Sequence, residues 1–107
     1  GLGVTSTGSS NTTIPKEFSL EQNFPNPFNP NTNVRFSIPF ESNVKLTIYD
    51  ISGKEVNTLV NNKMNAGSHT VNFNANGYSS GVYFYRLDVT GKDGISFSDT
   101  KKMILVK

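Results

Sequence analysis

The sequence predicts an all-β fold, a two-layer antiparallel sandwich. Three observations carry that prediction. Short runs of alternating apolar and polar residues follow one another, with turn-forming residues every ~8–12 positions. No stretch of useful length repeats its apolar residues with the 3.6-residue period of a helix. The hydrophobic content, 35%, lies below the ~45–50% of ordinary globular chains, a count that includes Gly. Strands that bury one face only need fewer apolar residues.

With 107 residues the chain holds one domain. Residues 1–16, GLGVTSTGSSNTTIPK, are dominated by Gly, Ser, Thr and Asn and read as a flexible linker. Residues 17–107 are then the folded domain, enough for one modest core. Gly1 is not expected to be a native start, so cargo domains are expected ahead of it. No apolar run approaches the ~20 residues of a membrane helix, so no direct membrane insertion is expected. No signal peptide opens the chain.

The first element is Phe18 to Glu21, whose alternation suits a short edge strand. The stretch NFPNPFNP, Asn23 to Pro30, follows. Pro25, Pro27 and Pro30 each lock φ and lack a backbone donor. They also push Phe24, Asn26 and Asn29 toward extended shapes. Neither a helix nor a central strand passes through such a segment. It is expected to be a stiff clasp that closes one end of the sandwich, with Phe24 and Phe28 as two aromatic anchors.

Beyond the clasp, Asn33 to Ile38 puts Val34, Phe36 and Ile38 on one face. Pro39 ends that strand, and Glu41 to Asn43 makes a turn. Val44, Leu46 and Ile48 alternate with Lys45, Thr47 and Tyr49 as a half-buried strand. At Asp50 to Gly53 the carboxylate can accept a bond from the backbone two residues on, and Gly53 can take φ > 0. Lys54 to Val60 forms a strand whose apolar period slips between Val56 and Leu59, the mark of a bulge or of a bend that switches sheets. Asn61 to Gly67 reads as a polar loop.

Ser68 to Asn74 directs Val71 and Phe73 inward, and Asn76-Gly77 turns the chain. Gly81 opens a strand that is apolar on both faces at first, hence central. Its longer apolar row, Tyr83, Tyr85, Leu87 and Val89, is expected to face the core. Thr90 to Gly94 forms a hairpin loop. Ile95 to Lys107 is the last strand, with Met103 and Leu105 on one face. About seven strands of this spacing correspond to an immunoglobulin-like sandwich.

Little in the sequence carries chemistry. The net charge of +2 and pI near 9.0 come from scattered cations, without the basic and aromatic interleaving of a nucleic-acid surface. The absence of cysteine excludes disulfides, thiol nucleophiles and thiolate metal sites. The carboxylates show no calcium-loop spacing, so no metal and no cofactor is expected. His69 is the only histidine, and no nucleophile elbow accompanies it, so the chain is expected not to be an enzyme. Asp88 and Asp99 are placed to face each other, or a lysine, across the last hairpin. Asn11-Thr12-Thr13 matches a glycosylation sequon. Tyr49, Tyr78, Phe40 and Phe97 could be exposed, which leaves an extracellular carbohydrate- or surface-binding module as the alternative reading.

Four motifs in order carry a resemblance: LEQNFPNPFNPNT, VKLTIYDISGKEVNTLV, GSHTVNFNANGYSSGVYFYRL and KKMILVK. Over Phe18 to Lys107 the chain resembles the type A C-terminal sorting domain of the type IX (Por) secretion system, typical of Bacteroidetes and neighbouring phyla. A related β-sandwich occurs in flagellar hook-capping proteins. The resemblance implies a non-catalytic targeting module that directs an N-terminal cargo through the periplasm and across the outer membrane to the cell surface or beyond. It implies two partners, the outer-membrane translocon and a sortase-like peptidase that cuts within residues 1–17. It also implies that the sorting signal lies toward the C-terminus, at Gly81, Val82, Tyr83 and Arg86 and at Lys102, Met103, Leu105 and Lys107. The final strand, with a free end and flanking lysines, could then be read by strand addition or by acidic pockets.

Overall fold

The computed structural model describes residues 14–91 and 94–107. The expected linker therefore falls largely outside the described residues, as do the glycosylation sequon and part of the last hairpin loop.

Seven strands make two antiparallel sheets: β1 (Ser19–Leu20), β2 (Asn31–Ile38), β3 (Ser42–Asp50), β4 (Glu55–Met64), β5 (Gly67–Asn74), β6 (Gly81–Gly91) and β7 (Ser96–Leu105). The sheet orders are β1-β2-β5 and β4-β3-β6-β7. This is the predicted immunoglobulin-like sandwich. In the constant-type arrangement the fourth strand joins the first, second and fifth; here β4 pairs with β3 instead.

Alternation explains which side chains fill the core. Val34, Phe36 and Ile38 of β2, Val44, Leu46 and Ile48 of β3, and Phe73 of β5 are all buried. So is the whole predicted row of β6: Tyr83, Tyr85, Leu87 and Val89. Met103 and Leu105 complete the core from β7. Each such aliphatic or aromatic side chain contributes about 1.5–3 kcal/mol through burial. β6 lies between β3 and β7, hydrogen-bonded on both edges. The central place expected for β6 is thus observed.

The turn after β3 forms as its residues require. Asp50 Oδ1 accepts the N–H groups of Ser52 at 2.9 Å and Lys54 at 3.1 Å, and the Ser52 hydroxyl at 2.6 Å. Those bonds, the Ser52 hydroxyl first, hold the Asp50 carboxyl below its ordinary pKa. Gly53 takes φ 88°, a conformation that costs glycine least. Gly91 serves a different need, since a Cβ there would run into the Phe40 ring.

Three expectations are corrected. β4 does not stop at Val60 but continues to Met64, with Asn62 opposite Val44 and Lys63 opposite Asn43. Backbone pairing with β3 carries this edge strand on despite its polar side chains, because an edge position tolerates polarity on both faces. Of the two readings of the slip in β4, the bulge is the one found, and it is double: register shifts leave Leu59 and Val56 as extra residues while the strand stays in one sheet. β2 starts at Asn31, two residues early, because Asn31 and Thr32 pair with Asn74 and Phe73. Asp88 and Asp99 do not face each other. Asp88 lies opposite Ser98, and Asp99 opposite Leu87.

Candidate functional site

Between β1 and β2 the chain crosses from one sheet to the other. It first runs along β2: Leu20 lies opposite Phe36, and the Glu21 N–H donates to the Arg35 carbonyl at 2.9 Å. Phe24 and Asn33 then exchange backbone bonds of 3.0 and 2.9 Å. Four residues later the same segment lies on β7. The Phe28 N–H donates to the Ile104 carbonyl at 2.9 Å, and the Val106 N–H donates to the Phe28 carbonyl at 3.0 Å. The NFPNPFNP segment is thus a strap across the open side of the sandwich.

Side chains complete the strap's hold on β7. Asn26 Oδ1 accepts the Ile104 N–H at 2.9 Å, and Gln22 Nε2 donates to the Lys102 carbonyl at 2.7 Å. The prolines sit where no ladder donor is required, and their carbonyls are used instead. The Pro25 carbonyl accepts the Thr32 hydroxyl at 2.8 Å, and the Pro30 carbonyl accepts the Ala75 N–H at 2.8 Å.

Beneath the strap lies a buried polar network. Tyr85 Oη donates to the Glu21 carbonyl at 2.7 Å and accepts the Asn23 N–H at 2.8 Å. Asn23, itself buried, donates from Nδ2 to Thr32 Oγ1 at 3.0 Å. Burial, the leading cause, pushes the Tyr85 hydroxyl up to about 12. The sequence reading did not single out Asn23, Thr32 or Gln22. One signal was available: Tyr85 lies in an inward-facing row, and a buried hydroxyl there needs a partner.

The strap corrects two expectations. Phe28 is an anchor, buried to 1% exposure, whereas Phe24 is 78% exposed and holds by its backbone alone. The strap also occupies the outer edge of β7 from Lys102 to Val106, so that end of the last strand is not open to strand addition. Strap, central strand and last strand form one connected structure.

The expected sorting residues divide into two groups. Tyr83, Met103 and Leu105 are buried in the core, so their side chains maintain the fold. Gly81, Arg86, Lys102 and Lys107 are exposed, and Val82 is half-buried. Arg86 Nε donates to Asp88 Oδ1 at 3.0 Å on the same strand. The candidate sugar-stacking aromatics are mostly engaged within the fold. The Phe97 and Phe18 rings stack at 5.3 Å, Phe40 meets Phe18 edge-on at 5.4 Å, and Tyr78 packs on Phe73 and Tyr83. His69 Nε2 donates to the Asn65 carbonyl at 2.8 Å. Among the described residues, no cluster of three His, Cys, Asp or Glu side chains could hold a metal ion.

A family model described as the secretion system C-terminal sorting domain matches residues 22–106. The chain belongs to that family. The match takes in the strap, β6 and all of β7, the elements just shown to be joined. Membership supports a sorting role in type IX secretion, with export to the cell surface or extracellular space. A sorting domain of this kind is a targeting module and works with the secretion machinery. No curated protein matches the chain. Among solved structures, CopC from Methylosinus trichosporium OB3b has a similar fold, with TM-score 0.52 and 16% identity over 83% of this chain and 93% of that one. At that identity the likeness concerns the sandwich alone.

Proposed function

We propose that this sorting domain is recognised as a folded body by the outer-membrane translocon of the type IX system. Residues 17–107 act as the domain, and residues 1–16 link it to a cargo. A sortase-like peptidase then cuts within residues 1–17, releasing the cargo or transferring it to the cell surface. The observation that supports this reading is the bonding of the strap and last strand: Phe28 to Ile104 and Val106, Asn26 to Ile104, and Gln22 to Lys102. A receptor meets the family's first and last motifs as one rigid surface, not as a loose tail.

The test is a reporter bearing a periplasmic signal peptide and this chain at its C-terminus, expressed in a type IX host. The expected result is reporter outside the cell, shortened at a position that mass spectrometry places within residues 1–17. A reporter that stays in the periplasm overturns the sorting role for this chain. An exported but uncut reporter overturns only the cleavage step.

A further inference from the structure

The outer faces of the two sheets differ in chemistry. On the three-stranded sheet the outward rows are polar: Asn31 opposite Asn74, Asn33 opposite Asn72, Arg35 opposite Thr70. On the four-stranded sheet the rows far from the strap are polar too. Lys45, Asp88 and Ser98 form one, and Thr47, Arg86 and Thr100 the next. Near the strap the pattern breaks. Tyr49 lies opposite Phe84, which lies opposite Lys102, and Val82 lies opposite Ile104. These four apolar side chains are half-buried, on the face that points away from the core. Solvated sheet faces ordinarily alternate to polar residues, so an apolar corner needs a reason.

Charge says what kind of partner fits. A carboxylate beside this corner, and another two rows further along β6, are already bonded within the chain. Glu55 Oε2 accepts the Thr58 hydroxyl at 2.9 Å, and Asp88 Oδ1 takes Arg86 and the Ser98 hydroxyl at 3.0 and 2.8 Å. Among the described residues the ion pairs are Arg35–Glu21 and Arg86–Asp88. Lys102, exposed beside Phe84, is in neither. The corner is therefore apolar with an unneutralised cation at its margin. It is also held in place, since the strap fixes the backbone of Lys102 and Ile104 from the other side.

We infer that Tyr49, Val82, Phe84 and Ile104, with Lys102 beside them, form the docking surface for a protein of the secretion machinery that offers an apolar contact flanked by carboxylates. An apolar centre with a charged rim is the usual anatomy of a protein interface. Four half-buried side chains make a small apolar centre, which suits a transient complex, as a passenger that must be released requires. This inference rests on the sorting role proposed above and gives it a location.

The reporter assay tests it with three variants. Phe84→Thr removes the aromatic surface while keeping a residue that favours strands. Lys102→Glu reverses the charge at an exposed position. Thr70→Glu places a charge on the outer face of the other sheet as a control. Export is expected to fall roughly tenfold or more for the first two, the equivalent of about 1.4 kcal/mol, and to be unchanged for Thr70→Glu. The purified chains should melt within a few degrees of the parent. If the parent and both surface variants are exported alike, the docking surface is wrong and the sorting role stands. If the parent itself is not exported, both fall. Should Phe84→Thr fail to fold, Lys102→Glu alone decides, since its side chain is exposed.

Discussion

The backbone N–H of Asn23 donates to Tyr85 Oη at 2.8 Å, across 62 residues of sequence. The same hydroxyl donates to the Glu21 carbonyl at 2.7 Å. Tyr85 is fully buried, so its hydroxyl is satisfied by strap backbone and not by bulk water. Tyr85→Phe keeps the ring and leaves the Asn23 N–H and Glu21 carbonyl without this partner. Unmade bonds of this kind cost about 1–3 kcal/mol. The melting temperature should fall by ~4–8 °C per kcal/mol for a domain near this size. Calorimetry of the variant checks it, and an unchanged melting point would show that the strap does not depend on this hydroxyl.

The same tyrosine sets a stability change at high pH. Burial raises its pKa to about 12, assisted by the charge of Asp99 and opposed by the Asn23 N–H. In the unfolded chain a tyrosine ionises near pH 10. Between about 10 and about 12 the folded state keeps a proton that the unfolded state has lost. Stability therefore falls as pH rises through that window, by up to about 1.4 kcal/mol per pH unit. This contribution is complete below pH ~10 and gone above pH ~12. Denaturant unfolding at about pH 9 and about pH 11.5 should show the loss, and Tyr85→Phe should lack this part of it.

The two phenylalanines of the strap make opposite predictions. Phe28 is 1% exposed and its ring lies 6.0 Å from that of Phe73. Phe28→Ala should destabilise by about 3–5 kcal/mol through lost burial and the cavity left behind. Phe24 is 78% exposed, so Phe24→Ala should stay within about 0.5 kcal/mol of the parent. Urea unfolding of both variants measures the contrast. Equal effects would mean that the ring of Phe28 is not what holds the strap.

How far the sequence could be read follows from which interactions are local. The rows of β2, β3 and β6 were legible because period-two alternation is written in consecutive residues such as Val44, Leu46 and Ile48. The Asp50 turn was legible because its acceptor and donors lie within four residues. The full length of β4 was not, because Asn62 and Lys63 are held by backbone pairing with a strand that side-chain polarity does not reveal. The strap's landing on β7 was hidden for the same reason. Asn26 and Ile104 are 78 residues apart, and nothing local to either announces the other. The exposure of Phe24 follows from the crossing itself, in which its backbone pairs with Asn33 while the side chain points to solvent. Family motifs pointed to β6 and the tail as the sorting region, but they could not separate Tyr83, Met103 and Leu105, which hold the core, from Lys102 and Arg86, which reach the surface.

One buried group lies on the outer face of the four-stranded sheet. Thr47 is 0% exposed although it points away from the core, covered by its neighbours in the sheet, where Thr58 and Arg86 lie opposite it. Its hydroxyl has no hydrogen-bond partner among the described residues. A buried hydroxyl left unpaired costs about 1–3 kcal/mol relative to a paired one. Thr47→Val replaces it with a methyl group of similar shape and keeps a β-branched residue in the strand. The variant should be more stable by about 1 kcal/mol, seen as a higher urea midpoint at unchanged slope. Destabilisation instead would show that the hydroxyl is bonded in solution, with the Arg86 side chain across the sheet as the first partner to examine.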